Sequence, residues 1–278
     1  MKFQNIPAAL YIVLFVVTVA LGLGFTSKSK GSALVKTVAV QEAGVRESIT
    51  NEAPSLPTLA LNKYLETFYS EAGLAQKGLP LTVFRDAVVG YHNMMSAGLL
   101  SKEKPLVTVI DFNQSSKKRR LWVIDMEARE VLYNTLVAHG RGSGGEYATA
   151  FSNIEGSNQS SLGFYLTQGT YQGKNGLSLK LEGLDDHFNS NASERFVVVH
   201  GASYVSESFI DTNGRLGRSQ GCPALPLEFT KPIIDTIKNQ TLLYIDGPSS
   251  TYSSRLLNLD QAAVCFVAGK EKSFHSFS

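Results

Sequence analysis

The segment from Phe196 to Pro226 reads FVVVHGASYVSESFIDTNGRLGRSQGCPALP. Its apolar, β-branched opening, from Phe196 to Val199, predicts a buried strand that ends at His200. A loop rich in turn signals follows and ends in a tight Gly-Cys-Pro turn that carries Cys222. A histidine on a rigid strand and a cysteine in a nearby turn are the two parts of a thiolate–imidazole pair. In such a pair the base lowers the pKa of the thiol, and the thiolate attacks a carbonyl carbon.

Length and composition limit the classes of protein to consider. The 278 residues are 43% hydrophobic, which is enough for one sizeable core with a small helical appendage. A formal net charge of +2 gives no signature of nucleic-acid binding. The sequence has no C-x-x-C pair, no P-loop and no H-E-x-x-H motif, so nothing indicates a structural metal site.

Residues 1–26 predict either an export signal peptide or a single N-terminal membrane anchor. The run from Ile6 to Phe25 carries no charge and lies between lysines. Small residues at Ala20-Leu21-Gly22 suit cleavage, whereas the length of the run favours an anchor that is retained. In both cases we expect the bulk of the chain to lie outside the cytoplasm.

The rest of the chain changes its hydrophobic period near residue 105. Residues 27–57 are polar and predict a linker, and residues 58–100 have apolar residues at helical spacing, which predicts two helices packed on the next domain. Residues 105–250 form short strand-like runs with one or two short helices, so we predict a mainly β domain. Residues 251–278 are predicted to be a C-terminal tail or strand, with Cys265 as a buried structural thiol.

Three features leave alternatives open. Two cysteines in an exported chain also allow a Cys222–Cys265 disulfide, although a single disulfide adds little stability to a chain of this length. His139 is a second candidate base, ranked below His200 because it opens a glycine-rich loop instead of ending a buried strand. Lys117 to Arg120 are four consecutive charges and predict a solvated turn, with contact to acidic polymers as the less favoured alternative.

Several sequence blocks resemble the L,D-transpeptidase catalytic domain family (YkuD-like), in the branch with the G-R-S-x-G-C-P-A motif. The resemblance covers about residues 105–247 and rests on six blocks in family order: HGRGSG at 139–144, ATAFSN at 148–153, SSLGFY at 160–165, TYQGKNGLSLKLEGL at 170–184, VVHGASYV at 198–205 and GRLGRSQGCPA at 214–224. It implies a YkuD-like catalytic domain of the β-sandwich or barrel type.

The resemblance also implies roles for residues. Cys222 would be the nucleophile and His200 its base, with the backbone carbonyl of Gly201 orienting the imidazole. The backbone amides of Gln220, Gly221 and Cys222 would form an oxyanion hole. The hydroxyl of Ser219 would brace the turn. Most of the wider family has a histidine where Gln220 stands. Since glutamine cannot titrate near neutral pH, any role of Gln220 is a hydrogen bond.

Four further side chains are candidates for contact with substrate. Arg215 and Arg218 flank the turn, where one of them can clamp a carboxylate or both can hold the loop by bonding to carbonyls. Tyr171 and Tyr204 are candidates to line the groove, although aromatic residues near a site more often pack in a core.

The resemblance implies an exported murein L,D-transpeptidase of the bacterial periplasm or cell envelope. It would join peptidoglycan stem peptides through an acyl-enzyme thioester, with no cofactor, no metal and no nucleic acid. Two alternatives remain at this point. One is a cysteine-dependent L,D-carboxypeptidase or endopeptidase that trims peptidoglycan, and the other is a non-catalytic envelope-binding module with an inert Cys222.

Overall fold

The computed structural model describes residues 53–275. The predicted signal or anchor and the predicted linker up to residue 52 lie outside the described residues. The described helices are α1 (Leu56–Glu71), α2 (Leu81–Ser96), α3 (Glu207–Asn213), α4 (Leu227–Ile237) and α5 (Leu259–His275). The strands are β1 (Leu106–Asp111), β2 (Leu121–Asp125), β3 (Glu130–Thr135), β4 (Gly163–Gly173), β5 (Gly176–Gly183), β6 (Val198–Gly201), β7 (Ala224–Leu225) and β8 (Leu242–Asp246).

All eight strands join one mixed sheet in the order β3-β2-β1-β8-β4-β5-β6-β7. Two pairs, β1 with β8 and β6 with β7, are parallel, and the remaining pairs are antiparallel. This confirms the mainly β prediction, with the short helices α3 and α4 inside the strand-rich region. The order places β6 between β5 and β7, near one edge of the sheet.

The two faces of the sheet cover separate hydrophobic cores, because successive side chains of a strand point to opposite faces. Val109 and Tyr244 pack in a core with α1, α2 and α5. Their neighbours in the chain, Ile110 and Ile245, pack in a second core with α4. The helices that precede the sheet therefore share a core with it. Among residues 53–275, no helix is long and apolar enough to cross a membrane.

The predicted C-terminal tail or strand is wrong, since residues 259–275 form helix α5. Ala262, Ala263 and Phe266 are buried against α1 and α2, at the spacing of one helical face. The ring of Phe266 lies 4.7 Å from the ring of Tyr64. Cys265, which points away from that face, is only half-buried and forms no disulfide.

Helix α2 approaches the sheet closely at Gly90. A Cβ atom at this position would lie 2.1 Å from the ring of Phe164, which is fully buried and stacks on Tyr244. The backbone of Gly90 is helical, so what requires glycine here is space and not conformation.

We predict that Gly90→Ala destabilises the protein although alanine is the better helix former. Overpacking a filled core costs about 1–3 kcal/mol, which outweighs a helix-propensity gain of about 1 kcal/mol. The measurement is the free energy of unfolding from urea denaturation followed by circular dichroism. Gly269→Ala is the matched control, because a Cβ there meets nothing within 4 Å in helix α5. A Gly90→Ala protein as stable as the control would contradict the close packing.

Candidate active site

A cleft of about 760 Å³ brings together the residues singled out in the sequence. Its walls are the β4–β5 hairpin, the loop around residues 155–158, and the turn of residues 218–222, which we call the nucleophile turn after the role that the sequence predicts for Cys222. His200 and Cys222 both line this cleft, although the sequence separates them by a loop that contains helix α3.

Strand β6 fixes the position of His200. Its backbone pairs with Ser178 of β5 on one side and with Ala224 of β7 on the other. The Nδ1 atom lies 3.0 Å from the carbonyl oxygen of Gly201. A carbonyl can only accept a hydrogen bond, so Nδ1 carries the proton and Nε2 keeps its lone pair. Among the described residues, Nε2 has no hydrogen-bond partner.

The environment keeps the imidazole neutral. Burial lowers the pKa of His200 from its ordinary value of 6.5, and the nearby Lys174 lowers it further. The Gly201 carbonyl opposes this effect without overcoming it. The ring is therefore a free base at neutral pH.

The Cys222 thiol is also neutral at rest. Burial raises its pKa above the ordinary value of 9.0 and outweighs the Val198 amide, Arg195 and Lys174, which favour the thiolate. The Sγ atom lies 3.5 Å from the carbonyl oxygen of Phe196 and 3.5 Å from the amide nitrogen of Val198. No hydrogen bond joins Cys222 to His200 within residues 53–275.

These findings correct one expectation from the sequence. A histidine that lowers the pKa of the thiol was expected, whereas the structure holds two neutral groups in one cleft. Burial of both groups is the physical reason, because a low-dielectric environment disfavours each charged form. Both cysteines are free, which excludes a Cys222–Cys265 disulfide in this structure.

Ser219 braces the nucleophile turn. Its hydroxyl donates to the carbonyl oxygen of Cys222 at 2.6 Å and accepts from the amide of Gly221 at 3.1 Å. The Gly221 amide is therefore occupied, contrary to the expectation that it is a free oxyanion donor. The amides of Gln220 and Cys222 make no hydrogen bond to another described residue, so two of the three expected donors are available.

Phe196 departs from the predicted strand. It has φ of +54° and its side chain is 75% exposed, while β6 begins at Val198. The left-handed region costs a bulky residue about 1–3 kcal/mol. The turn bonds from Phe196 to Ser193 and from Val197 to Ala192 hold this conformation. The aromatic side chain faces solvent because this turn, and not the strand, sets its direction.

The four candidate substrate contacts divide into two groups. Arg218, Tyr171 and Tyr204 line the cleft, and the Arg218 guanidinium donates to the carbonyl of Gly144 at 2.8 Å. Arg215 is not among the lining residues, since its guanidinium donates to the carbonyl of Leu216 at 2.7 Å. The structure thus gives Arg215 a loop-holding contact.

Sequence reasoning missed two cations of the cleft, Arg195 and Lys174. Arg195 donates to the carbonyls of Ser152 at 2.6 Å and Gln159 at 2.7 Å, and so ties the 152–161 segment beneath the nucleophile turn. Nothing in its polar surroundings signalled this role. Lys174 is exposed at the tip of the β4–β5 hairpin, and no chemical pattern in its sequence block, residues 170–184, distinguishes it.

His139, the second candidate base, supports the nucleophile turn through its backbone. His139 is fully buried, and its Nδ1 lies 2.7 Å from Nη2 of Arg120, which is also fully buried. Burial and the nearby Arg120 lower the pKa of His139 to about 4. Its backbone carbonyl accepts the amide of Ser219 at 3.0 Å. The solvated turn predicted from Lys117 to Arg120 is therefore wrong for Arg120, whose charge is satisfied by buried carbonyls.

The described residues contain no group of three or more His, Cys, Asp or Glu side chains placed to hold a metal ion. The groups that line the cleft or its turn include one thiol, one neutral imidazole, two open amides and three cationic side chains. Such a set can form and break an acyl–sulfur bond.

Comparisons with solved structures give distant likenesses. The L,D-transpeptidase from Mycobacterium smegmatis is 12% identical over 51% of this chain and 59% of its own, with a TM-score of 0.33. The L,D-transpeptidase (Yku) from Stackebrandtia nassauensis is 15% identical over 68% of this chain and 78% of its own, with a TM-score of 0.30. The helical cell shape determining protein Pgp2 (K307A mutant) from Campylobacter jejuni is 11% identical over 64% and 63%, with a TM-score of 0.39.

The matched region spans less than two thirds of the Mycobacterium and Campylobacter chains. Among curated proteins, none matches this sequence significantly. A sequence model of the family described as the L,D-transpeptidase catalytic domain matches residues 75–245, from before α2 to β8. Because that match covers more than half of the 278 residues, this protein belongs to the L,D-transpeptidase catalytic domain family (YkuD-like).

Proposed function

We propose that this protein is a cysteine-dependent L,D-transpeptidase that cross-links peptidoglycan stem peptides through an acyl-enzyme thioester. One observation carries the proposal. In a chain of this family, the cleft contains the Cys222 thiol and a neutral His200 whose Nδ1 proton is fixed by Gly201. The free Nε2 lone pair is what a general base for a thiol needs.

In the acylation step, the donor is a tetrapeptide stem and the target is the carbonyl carbon of its third residue, a diamino acid. The sulfur of Cys222 bonds to that carbon while its proton passes to Nε2 of His200. The imidazolium then returns the proton to the nitrogen of the departing D-Ala. The C–N bond breaks and a thioester remains on Cys222.

Backbone amides stabilise the charge that develops on the carbonyl oxygen. The two open donors, Gln220 and Cys222, are available without rearrangement, whereas Gly221 joins them only if Ser219 releases its amide. One such donor is typically worth about 3 kcal/mol of barrier. Two donors therefore supply a large part of the stabilisation that an amide-cleaving thiol requires.

In the second step, a side-chain amine of another stem attacks the thioester carbonyl. His200 accepts a proton from that amine and gives it to the departing sulfur, which regenerates the thiol. Water in place of the amine gives hydrolysis. A carboxypeptidase or endopeptidase is thus the other possible result of the same chemistry. In both steps, Cys222 and His200 of this chain supply the sulfur and the acid–base group.

Export belongs to the same proposal, since peptidoglycan lies outside the cytoplasmic membrane. The uncharged run from Ile6 to Phe25 supports a location in the periplasm or cell envelope, as a cleaved signal or as a retained anchor. N-terminal sequencing of protein from the envelope fraction distinguishes these two forms. Recovery of the uncleaved chain from the cytoplasm alone would contradict export.

We predict that Cys222→Ala abolishes acyl transfer. Full-length protein purified in mild detergent is incubated with a disaccharide-tetrapeptide muropeptide and analysed by intact mass spectrometry. The native protein is expected to gain a thioester adduct and to produce cross-linked dimer. The Cys222→Ala variant is expected to gain no adduct, because it has no sulfur to acylate.

Cys265→Ala serves as the matched control, since its thiol lies on α5, outside the cleft, and the variant is expected to keep the adduct. Release of D-Ala without cross-linked dimer would contradict transpeptidation and would instead identify the activity as hydrolysis. Absence of any adduct in the native protein would overturn both enzymatic activities and leave an envelope-binding module.

The neutral resting state predicts a specific pH dependence. Since the pKa of Cys222 is raised above 9.0, alkylation of the free enzyme by iodoacetamide is expected to accelerate with pH and to inflect above 9. The acid limb of kcat/KM is expected to lie below pH 6.5, because His200 acts in its neutral form and its pKa is lowered. The measurements use the Cys265→Ala background. A flat alkylation rate between pH 5 and 8 would instead reveal a preformed thiolate–imidazolium pair.

A further inference from the structure

In the free enzyme, the sulfur of Cys222 is held by the backbone that precedes β6. The carbonyl oxygen of Phe196 and the amide nitrogen of Val198 each lie 3.5 Å from Sγ. A carbonyl can only accept and an amide N–H can only donate, so the thiol proton points at Phe196. The proton that catalysis must deliver to His200 is thus directed to another acceptor.

Phe196 joins this contact to the substrate side of the cleft. The residue lines the cleft, its side chain is 75% exposed, and its φ is +54°. A bulky residue is an outlier in that region of backbone space, and glycine adopts it freely. The exposed ring and the carbonyl that contacts Sγ therefore belong to one residue in a strained conformation.

We propose that Phe196 is a positioning residue for the nucleophile: its carbonyl holds the Cys222 thiol in the free enzyme, and contact of the acyl donor with its ring moves that carbonyl so that the thiol turns to His200. The inference deepens the proposed function and rests on it for the identity of the donor. The S–H bond is kept during this movement and only its acceptor changes, from the carbonyl oxygen to Nε2.

The surroundings favour movement at Phe196 over movement of the nucleophile turn. The turn is braced by Ser219, and the Ser160 hydroxyl donates to the Gly221 carbonyl at 3.0 Å. His200 is fixed by strands on both sides. Phe196 is both strained and exposed, so it is the group facing Sγ whose movement we expect, at the cost of the bond from the Val197 amide to the Ala192 carbonyl at 2.9 Å.

The first experiment needs no substrate. The rate of alkylation of Cys222 by iodoacetamide is measured against pH in full-length protein with Cys265→Ala, for Phe196→Gly, Phe196→Ala and Phe196→Tyr. Glycine adopts the left-handed conformation without strain and so holds the carbonyl at the sulfur more firmly; we expect about tenfold slower alkylation at pH 8 and an inflexion about one pH unit higher. Alanine and tyrosine keep the Cβ and the turn, so their profiles are expected to match that of Phe196.

The second experiment separates kcat from KM in the muropeptide cross-linking assay. Loss of the ring in Phe196→Ala is expected to lower kcat about tenfold, the rate equivalent of about 1.4 kcal/mol, with KM changed less than about threefold. Phe196→Tyr keeps the ring and is expected to keep kcat. Phe196→Gly is expected to lose at least as much kcat as alanine, because it lacks the ring and also removes the strain that favours release of the carbonyl.

Tyr147→Ala is the matched control, since Tyr147 is 52% exposed and lies outside the cleft. A change confined to KM and equal in the alanine and glycine variants would overturn the proposal and reduce Phe196 to a binding contact. Identical alkylation profiles for all variants would also overturn it. The alkylation experiment contains no acyl donor, so its result does not depend on the proposed function. Failure of the proposed function is recognised separately, because the native protein then gains no adduct from the muropeptide.

Discussion

The pairing of β6 with its two neighbours is the constraint on which the site depends. The antiparallel register with β5 and the parallel register with β7 align His200 with Ser178 and Ala224. Cys222 lies two residues before Ala224, so the same register that holds His200 also brings the nucleophile turn into the same cleft. A one-residue slip in this pairing would turn the imidazole to the opposite face of the sheet.

Burial sets the chemistry of the resting site. Because burial raises the thiol pKa and lowers the imidazole pKa, moving the proton from sulfur to nitrogen is unfavourable in the free enzyme. An oxyanion donor typically lowers the activation barrier by about 3 kcal/mol. The proton transfer is thus feasible once a carbonyl occupies the site next to the open amides. Without substrate, the thiol stays protonated and poorly reactive toward oxidants.

Much of the fold followed from periodicity, and the failures have physical causes. The faces of α1 and α2 were readable because apolar residues repeat at helical spacing, and β1 was readable from its short apolar run. The short apolar run around Cys265 is compatible with a helix or a strand. Packing of this segment on α1 favours the helix. His200 and Cys222 carried their own chemical signal. The neutral state of both groups, the buried Arg120 and the role of Arg195 arise from contacts between distant segments, which no local pattern encodes.

Rigidity and strain are distributed unequally around the sulfur. Gly140 packs backbone against backbone on the nucleophile turn, where its Cβ would lie 2.8 Å from Cα of Gly221, and Arg195 ties down the segment beneath. A site built this closely fixes its oxyanion donors in advance, which is what electrostatic stabilisation requires. It also leaves the nucleophile little freedom except rotation of its own side chain. In the proposed mechanism, that rotation exchanges the Phe196 carbonyl for Nε2 of His200, so the strained residue two positions before β6 controls the remaining step between a resting and a reactive thiol.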